Sequence, residues 1–210
     1  MLRFYGNPML NILIALDKKI FLLIQEYIHT RLFDFLMPTI TNFDYWKIPA
    51  VLFLSSLAIW GGKKGRMVAL LTLVVFILSD QLSVNVLKPI FSRARPYLVF
   101  PQISPLVESA PKYSFPSTHA SNIFAVTTLL SYYYRKFLPL NLFIAFMVSF
   151  ARVYEGVHYP SDIVAGAILG VACTFLVIGI ERLITKKIST IQPSPVVNTD
   201  KVGSNQNKTS

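Results

Sequence analysis

The sequence predicts an all-α protein, a polytopic membrane helix bundle with six transmembrane helices and an N-terminal amphipathic segment. Three observations lead there. The composition is 53% hydrophobic and only 14% charged, whereas soluble domains carry about 25% charged residues. Apolar runs follow one another, punctuated by Gly61-Gly62, Pro139 and Pro160. Basic clusters then fall between these runs at alternate connections.

Five runs read as spanning helices, roughly residues 47–61, 67–87, 119–134, 137–153 and 161–181. A perpendicular crossing takes about 20 apolar residues. The second and last runs meet this alone, and the others need their flanks. Residues 9–43 are interrupted by Asp17, Lys18, Lys19, Glu26, His29, Arg31 and Asp34. They read as an amphipathic interfacial helix leading into a first, imperfect span, the alternative being a wholly interfacial N-terminus. Met9 to Leu16 is followed by Asp17-Lys18-Lys19 rather than small cleavage-site residues, so insertion is expected to rely on the spans themselves. The membrane-embedded domain is expected over 1–187. Residues 188–210, rich in Ser, Thr, Asn, Gln and Pro, have little to bury and read as a disordered cytoplasmic tail.

The net charge of +10 raises nucleic acid as a partner, but its distribution argues for the lipid bilayer instead. Lys63, Lys64 and Arg66, then Arg135 and Lys136, then Arg182, Lys186 and Lys187 all fall on one side if the spans alternate. The positive-inside rule makes that side cytoplasmic. Connections 88–118 and 154–160 are then external. The single cysteine, Cys173, lies in an apolar run and reads as packed and unreactive.

Those external connections and their helix ends hold three motif blocks: Lys88 to Pro96, Phe115 to His119, and Arg152 to Asp162. Up-down topology brings them to one level. Lys88, Arg95 and Arg152 can surround an anion with charge on several oxygens, arginine gripping two at once. Ser117 and Thr118 open a helix, where free N–H groups and the helix dipole face a phosphate. One of His119 and His158 can attack phosphorus while the other protonates the leaving oxygen. Asp162, just inside a helix begun by Pro160, lies back towards His158 and can fix its tautomer. The basic residues argue against a zinc ion held by the two histidines and Asp162, so neither metal nor cofactor is expected.

The pattern Lys-x6-Arg-Pro, Pro-Ser-x-His, Arg-x5-His-x3-Asp resembles the type-2 phosphatidic acid phosphatase family, related to vanadium haloperoxidases. It covers about residues 20–182, with all three blocks in order. The resemblance implies a metal-independent phosphatase of a bacterial cell membrane with its active site facing outwards. His158 would be the nucleophile, Asp162 its partner and His119 the general acid. Lys88, Arg95, Ser117, Thr118 and Arg152 would hold the phosphate. Thr118 replaces the usual glycine of the second block, and Ala151 the usual serine before Arg152. Undecaprenyl (polyprenyl) diphosphate is the expected substrate, with phosphatidylglycerophosphate or the 1-phosphate of lipid A, and hydrolysis or phosphate transfer, as alternatives. A non-catalytic anion-binding membrane protein or transporter is the competing class.

Among the remaining polar residues, Arg93 reads as a lipid-headgroup contact and His29 as an interfacial residue without a partner. Asp80, with Gln81 and Asn85, reads as a hydrogen-bonded helix contact. Gly166 and Gly170 read as a helix-packing face, and Tyr132 to Tyr134 as an interfacial belt. Nothing in the sequence speaks to oligomeric state.

Overall fold

The computed structural model describes residues 8–107 and 113–191. Among them the helices are α1 (Pro8–Tyr27), α2 (Arg31–Thr41), α3 (Phe43–Trp60), α4 (Gly62–Gln81), α5 (Lys88–Phe91), α6 (Pro96–Val99), α7 (Thr118–Tyr133), α8 (Leu138–Tyr154) and α9 (Pro160–Ile191). No strand is formed among the described residues, and one isolated bridge joins Ala94 to Tyr113. The chain divides into two compact units, Met1–Val177 and Ile178–Ser210. Every site residue lies in the first.

Three stretches are long and apolar enough to cross a membrane: Gly62–Phe91, Arg135–Tyr154 and Pro160–Thr190. α3 and α7 coincide in position with the expected runs at 47–61 and 119–134 but have 18 and 16 residues. Six crossings is therefore more than length and hydropathy mark out. At the N-terminus, where an interfacial helix leading into an imperfect span is expected, two helices form, α1 and α2, and neither is among the stretches long and apolar enough to cross. Thr30 caps α2, its side chain accepting from the Phe33 N–H at 3.3 Å. The last helix carries on through 188–191, past the boundary expected at 187, and residues 192–210 lie outside the described residues.

Burial is inverted relative to a water-soluble protein. α3 buries none of its residues, and Val51, Leu52, Ile59 and Trp60 are all exposed. Ser79, Ser83, Ser121, Ser149 and Thr174 are buried. Lipid tails solvate leucine as well as a protein interior does, so helices associate through small residues and hydrogen bonds. α9 against α7 illustrates this. A side chain at Gly166 or Gly170 would run into the carbonyls of Ser117 and Ser121, and Thr174 Oγ1 donates to the Ala125 carbonyl at 2.8 Å. α7 also packs against α4 and α8.

The N-terminal helices cover the connection between α8 and α9. Phe21 of α1 packs with Val153 and Tyr159, and Met37 of α2 with Ala151 and Tyr154. Gln25 Nε2 donates to the carbonyls of Val153 at 2.9 Å and Tyr154 at 3.1 Å. The third motif block is thus enclosed by elements more than a hundred residues away in sequence.

Candidate active site

Lys88 stands where α4 has passed through a π-helical turn, Leu82–Leu87. Such turns re-aim the residues that follow and are frequent at functional sites. Its ammonium is buried and donates to the Tyr113 carbonyl at 3.4 Å. Arg95 follows in extended backbone, tied by the Ala94–Tyr113 bridge and by Ser114 N–H donating to the Arg93 carbonyl at 2.9 Å. The first two motif blocks are therefore laced together before α7 begins.

Ser117 is the N-cap of α7, and its backbone N–H donates to the Asp162 carbonyl at 3.0 Å. Second and third blocks are joined by that bond. The Thr118 hydroxyl pairs with Ser83 at 2.8 Å, tying the start of α7 to the π-helical turn. His119 is half-buried and hydrogen-bonded to the Thr41 backbone, in the electrostatic neighbourhood of Arg152, His158 and Lys88.

Arg152, on the last turn of α8, is buried. Its Nη1 donates to Glu155 Oε2 at 2.6 Å, while its Nε is buried without a partner among the described residues. An orphaned guanidinium N–H costs desolvation free energy unless something accepts from it. Glu155 is itself fully buried, and its other oxygen accepts from the Thr41 hydroxyl. Burial pushes the Glu155 carboxyl up to about 7 against the opposing pull of Arg152 and the Thr41 bond. Burial, then the charge of Arg152, holds Arg95 down to about 10.

His158 lies at the centre. Arg95 Nη1 donates to the Val157 carbonyl at 2.8 Å and approaches His158 Nε2 at 3.3 Å. His158 Nδ1 lies 3.4 Å from Asp162 Oδ2, and the ring is also hydrogen-bonded to the Ser114 backbone. Arginine can only donate and an ionised carboxylate can only accept. The arrangement therefore favours a proton on Nδ1 and a lone pair on Nε2, directed among the cations. Burial, then Arg95, Arg152 and Lys88, holds the imidazole well below its ordinary pKa. That shift favours the uncharged ring, the form in which an imidazole nitrogen keeps a free lone pair.

Two expectations are corrected here. Arg93 is no headgroup contact: it bridges Asp162 Oδ1 and Asp17 Oδ2, each at 2.6 Å, and its Nη1 reaches Ser161 Oγ at 2.7 Å. Nor does His29 lack a partner, since Nδ1 sits 2.9 Å from Asp34 Oδ1 and the ring stacks on Tyr154 at 4.2 Å. Asp80 is a hydrogen-bonded helix contact, accepting from Asn122 Nδ2 at 3.0 Å. Asp17, Thr41 and Glu155 went unrecognised as neighbours of the site. For Asp17 the available signal was a carboxylate in an apolar helix, which is a functional candidate by default.

The sequence profile of the PAP2 superfamily matches residues 69–185. The chain belongs to the PAP2 superfamily. Lys88, Arg95, Ser117, Thr118, His119, Arg152, His158 and Asp162 all lie inside the matched region, whereas Asp17 and Thr41 lie before it. A lipid A 4'-phosphatase of Bacteroides thetaiotaomicron is 32% identical, over 89% of this chain and 86% of its own. The bacitracin transport permease protein BcrC of Bacillus licheniformis is 32% identical over 54% of this chain and 56% of its own. An undecaprenyl-diphosphatase of Sulfolobus acidocaldarius is 35% identical over 57% of this chain and 58% of its own. For those last two, the chain spans little more than half of the relative's length. Among solved structures, a transmembrane PAP2-type phosphatidylglycerolphosphate phosphatase from Bacillus subtilis superposes with TM-score 0.66 and 26% identity. That superposition covers 83% of this chain and 88% of the other. With its apolar outer surface and candidate spans, this PAP2 chain is a membrane protein.

Proposed function

We propose that this PAP2 chain is a metal-independent phosphatase of lipid-linked phosphates, working on the outer side of the membrane through a phosphohistidine. The carrying observation is the His158 ring, backed by Asp162 at Nδ1 and presenting Nε2 beside Arg95. Lys88 and Arg152 complete the surround, and the unpartnered Arg152 Nε is a donor awaiting an anionic oxygen.

In this reading the phosphate sits between Arg95, Arg152, Lys88 and the N–H groups opening α7. His158 Nε2 attacks phosphorus, the bond to the leaving oxygen breaks, and His119 delivers a proton to that oxygen. Asp162 stabilises the positive charge the ring acquires. Water, its proton taken by His119, then attacks phosphorus and frees His158. The protein contributes positioning and fixed charge along the path.

For substrate we infer a polyprenyl diphosphate such as the undecaprenyl carrier. Three buried cations and a helix N-terminus suit the high charge of a diphosphate, and the undecaprenyl-diphosphatase relative supports the choice. The long alignment with a lipid A 4'-phosphatase supports a second reading, a phosphate monoester on lipid A. Purified protein in detergent should release phosphate from one of a panel of polyprenyl diphosphate, phosphatidylglycerophosphate and lipid A. His158→Ala should lower that release by about 10⁴-fold or more. Full activity in the folded His158→Ala variant would sink the nucleophile assignment, and activity on none of the panel would sink the phosphatase reading.

A further inference from the structure

We propose that Asp17 and Arg93 form a positioning pair that holds Asp162, and through it His158, making the N-terminal helix α1 part of the reaction centre. The inference rests on the phosphatase reading above.

Asp162 divides its two oxygens. Oδ2 accepts from the Tyr159 N–H at 2.9 Å and faces His158 Nδ1 at 3.4 Å, while Oδ1 is held by Arg93 Nη1 at 2.6 Å. A carboxylate free to rotate would offer His158 either oxygen in a changing geometry. Arg93 prevents that rotation. The guanidinium is itself fixed on three sides: Asp17 Oδ2 at 2.6 Å, Ser161 Oγ at 2.7 Å, and the Tyr159 ring, whose centroid lies 3.9 Å from its central carbon.

Asp17 does more than neutralise Arg93. Its Oδ1 accepts from the Ser161 backbone N–H at 2.8 Å and its Oδ2 from the Ser161 hydroxyl at 2.6 Å. Ser161 belongs to the first turn of α9, whose N–H groups have no partner within the helix. A carboxylate from α1 therefore caps, from outside, the turn that carries Asp162. Both anions and the cation between them are largely withdrawn from water: Asp17 is 9% and Asp162 0% exposed. Removing Arg93 leaves two buried carboxylates uncompensated, which is far more costly than the pairing is stabilising, whereas removing Asp17 leaves Arg93 paired with Asp162.

Arg93 differs in kind from the phosphate-holding cations. Two carboxylates already satisfy it, whereas Arg95 abuts Nε2 of His158. Loss of the pair should therefore slow turnover without weakening substrate binding, a split that separates positioning from binding.

The test uses the full chain in detergent, with polyprenyl diphosphate and lipid A as probes. Asp17→Asn and Arg93→Gln should each lower kcat by about 10- to 100-fold, the range for residues that orient a catalytic group, with KM within about twofold. Asp17→Glu should restore part of the loss. In the Asp17→Asn/Arg93→Gln double variant the losses should not multiply, because both act through Asp162. The acid limb of kcat should move in opposite directions in the two single variants. Asp17→Asn leaves Arg93 wholly to Asp162 and draws charge away from His158, lowering the limb; Arg93→Gln returns that carboxylate to His158, raising it. Thermal melting of each variant identifies any that fail to fold, and Asp17→Asn, which keeps Arg93 paired with Asp162, keeps the question answerable. A folded Asp17→Asn protein with unchanged kcat, or with KM raised and kcat intact, overturns the inference. A wild-type protein inert on every lipid phosphate overturns the phosphatase reading and this inference with it.

Discussion

Glu155→Gln isolates a buried titration whose size follows from the structure. The carboxyl is fully buried, with Arg152 Nη1 on Oε2 at 2.6 Å and the Thr41 hydroxyl on Oε1. Its pKa is raised from 4.5 to about 7, burial outweighing Arg152 and Thr41. Each unit corresponds to about 1.4 kcal/mol, so the difference is worth about 3 kcal/mol. Between pH 4.5 and 7 the folded protein keeps this proton while the unfolded chain has lost it. Stability from Glu155 is therefore fully present below pH 4.5 and lost as pH rises through about 7. Glutamine has no such titration. His158 shifts in the opposite direction, so the wild-type profile alone mixes two signs, and the difference between wild type and Glu155→Gln removes His158 from the comparison. Melting both proteins in one detergent from pH 4.5 to 8.5 should show the wild type losing ground to the variant by about 3 kcal/mol. At about 2–4 °C per kcal/mol for a chain of this size, that is about 6–12 °C. A difference that stays flat, or that grows in the wild type's favour with pH, would refute the burial argument.

Gly170→Leu should lower the melting temperature and the activity together, because its Cβ meets the backbone of Ser121 and, at 2.8 Å, the Ala125 nitrogen. Overpacking of this kind costs about 1–3 kcal/mol and pushes on the helix that carries His119. His119→Asn should slow release from lipid substrates by about 10²- to 10⁴-fold yet largely spare p-nitrophenyl phosphate, whose leaving group needs no proton; equal losses on both would contradict the acid assignment. Ser104 is exposed in the loop before α7. In a Cys173→Ala background, Ser104→Cys should react with an impermeant thiol reagent added outside intact cells, and labelling only after lysis would reverse the orientation.

The three motif blocks were legible because each pairs a chemical group with a helix boundary. Pro160 starting α9, Ser117 capping α7 and Lys88 closing the Gly62–Phe91 stretch are local events, set by backbone and side chain within a few residues. The apolar runs were legible for a similar reason, since composition alone sets lipid compatibility. The role of Arg93, just past the C-cap of α5, was not legible because its partners are 76 and 69 residues away. Thr41 escaped notice likewise, contacting Glu155 across 114 residues.

His158 and Asp162 show where the division falls. By itself the sequence determined that they lie four residues apart across a proline-started helix, beside arginines and in a chain whose surface suits lipid. That spacing and composition permit a histidine–carboxylate pair among cations. Only the tertiary structure decided which nitrogen of His158 faces Arg95 and which oxygen of Asp162 is committed to Arg93. It also decided that a helix from the far end of the chain caps α9. Those choices depend on side chains meeting across helices, where burial makes each hydrogen bond or unpaired charge strong enough to select one geometry. Spacing along the chain carries no record of that selection.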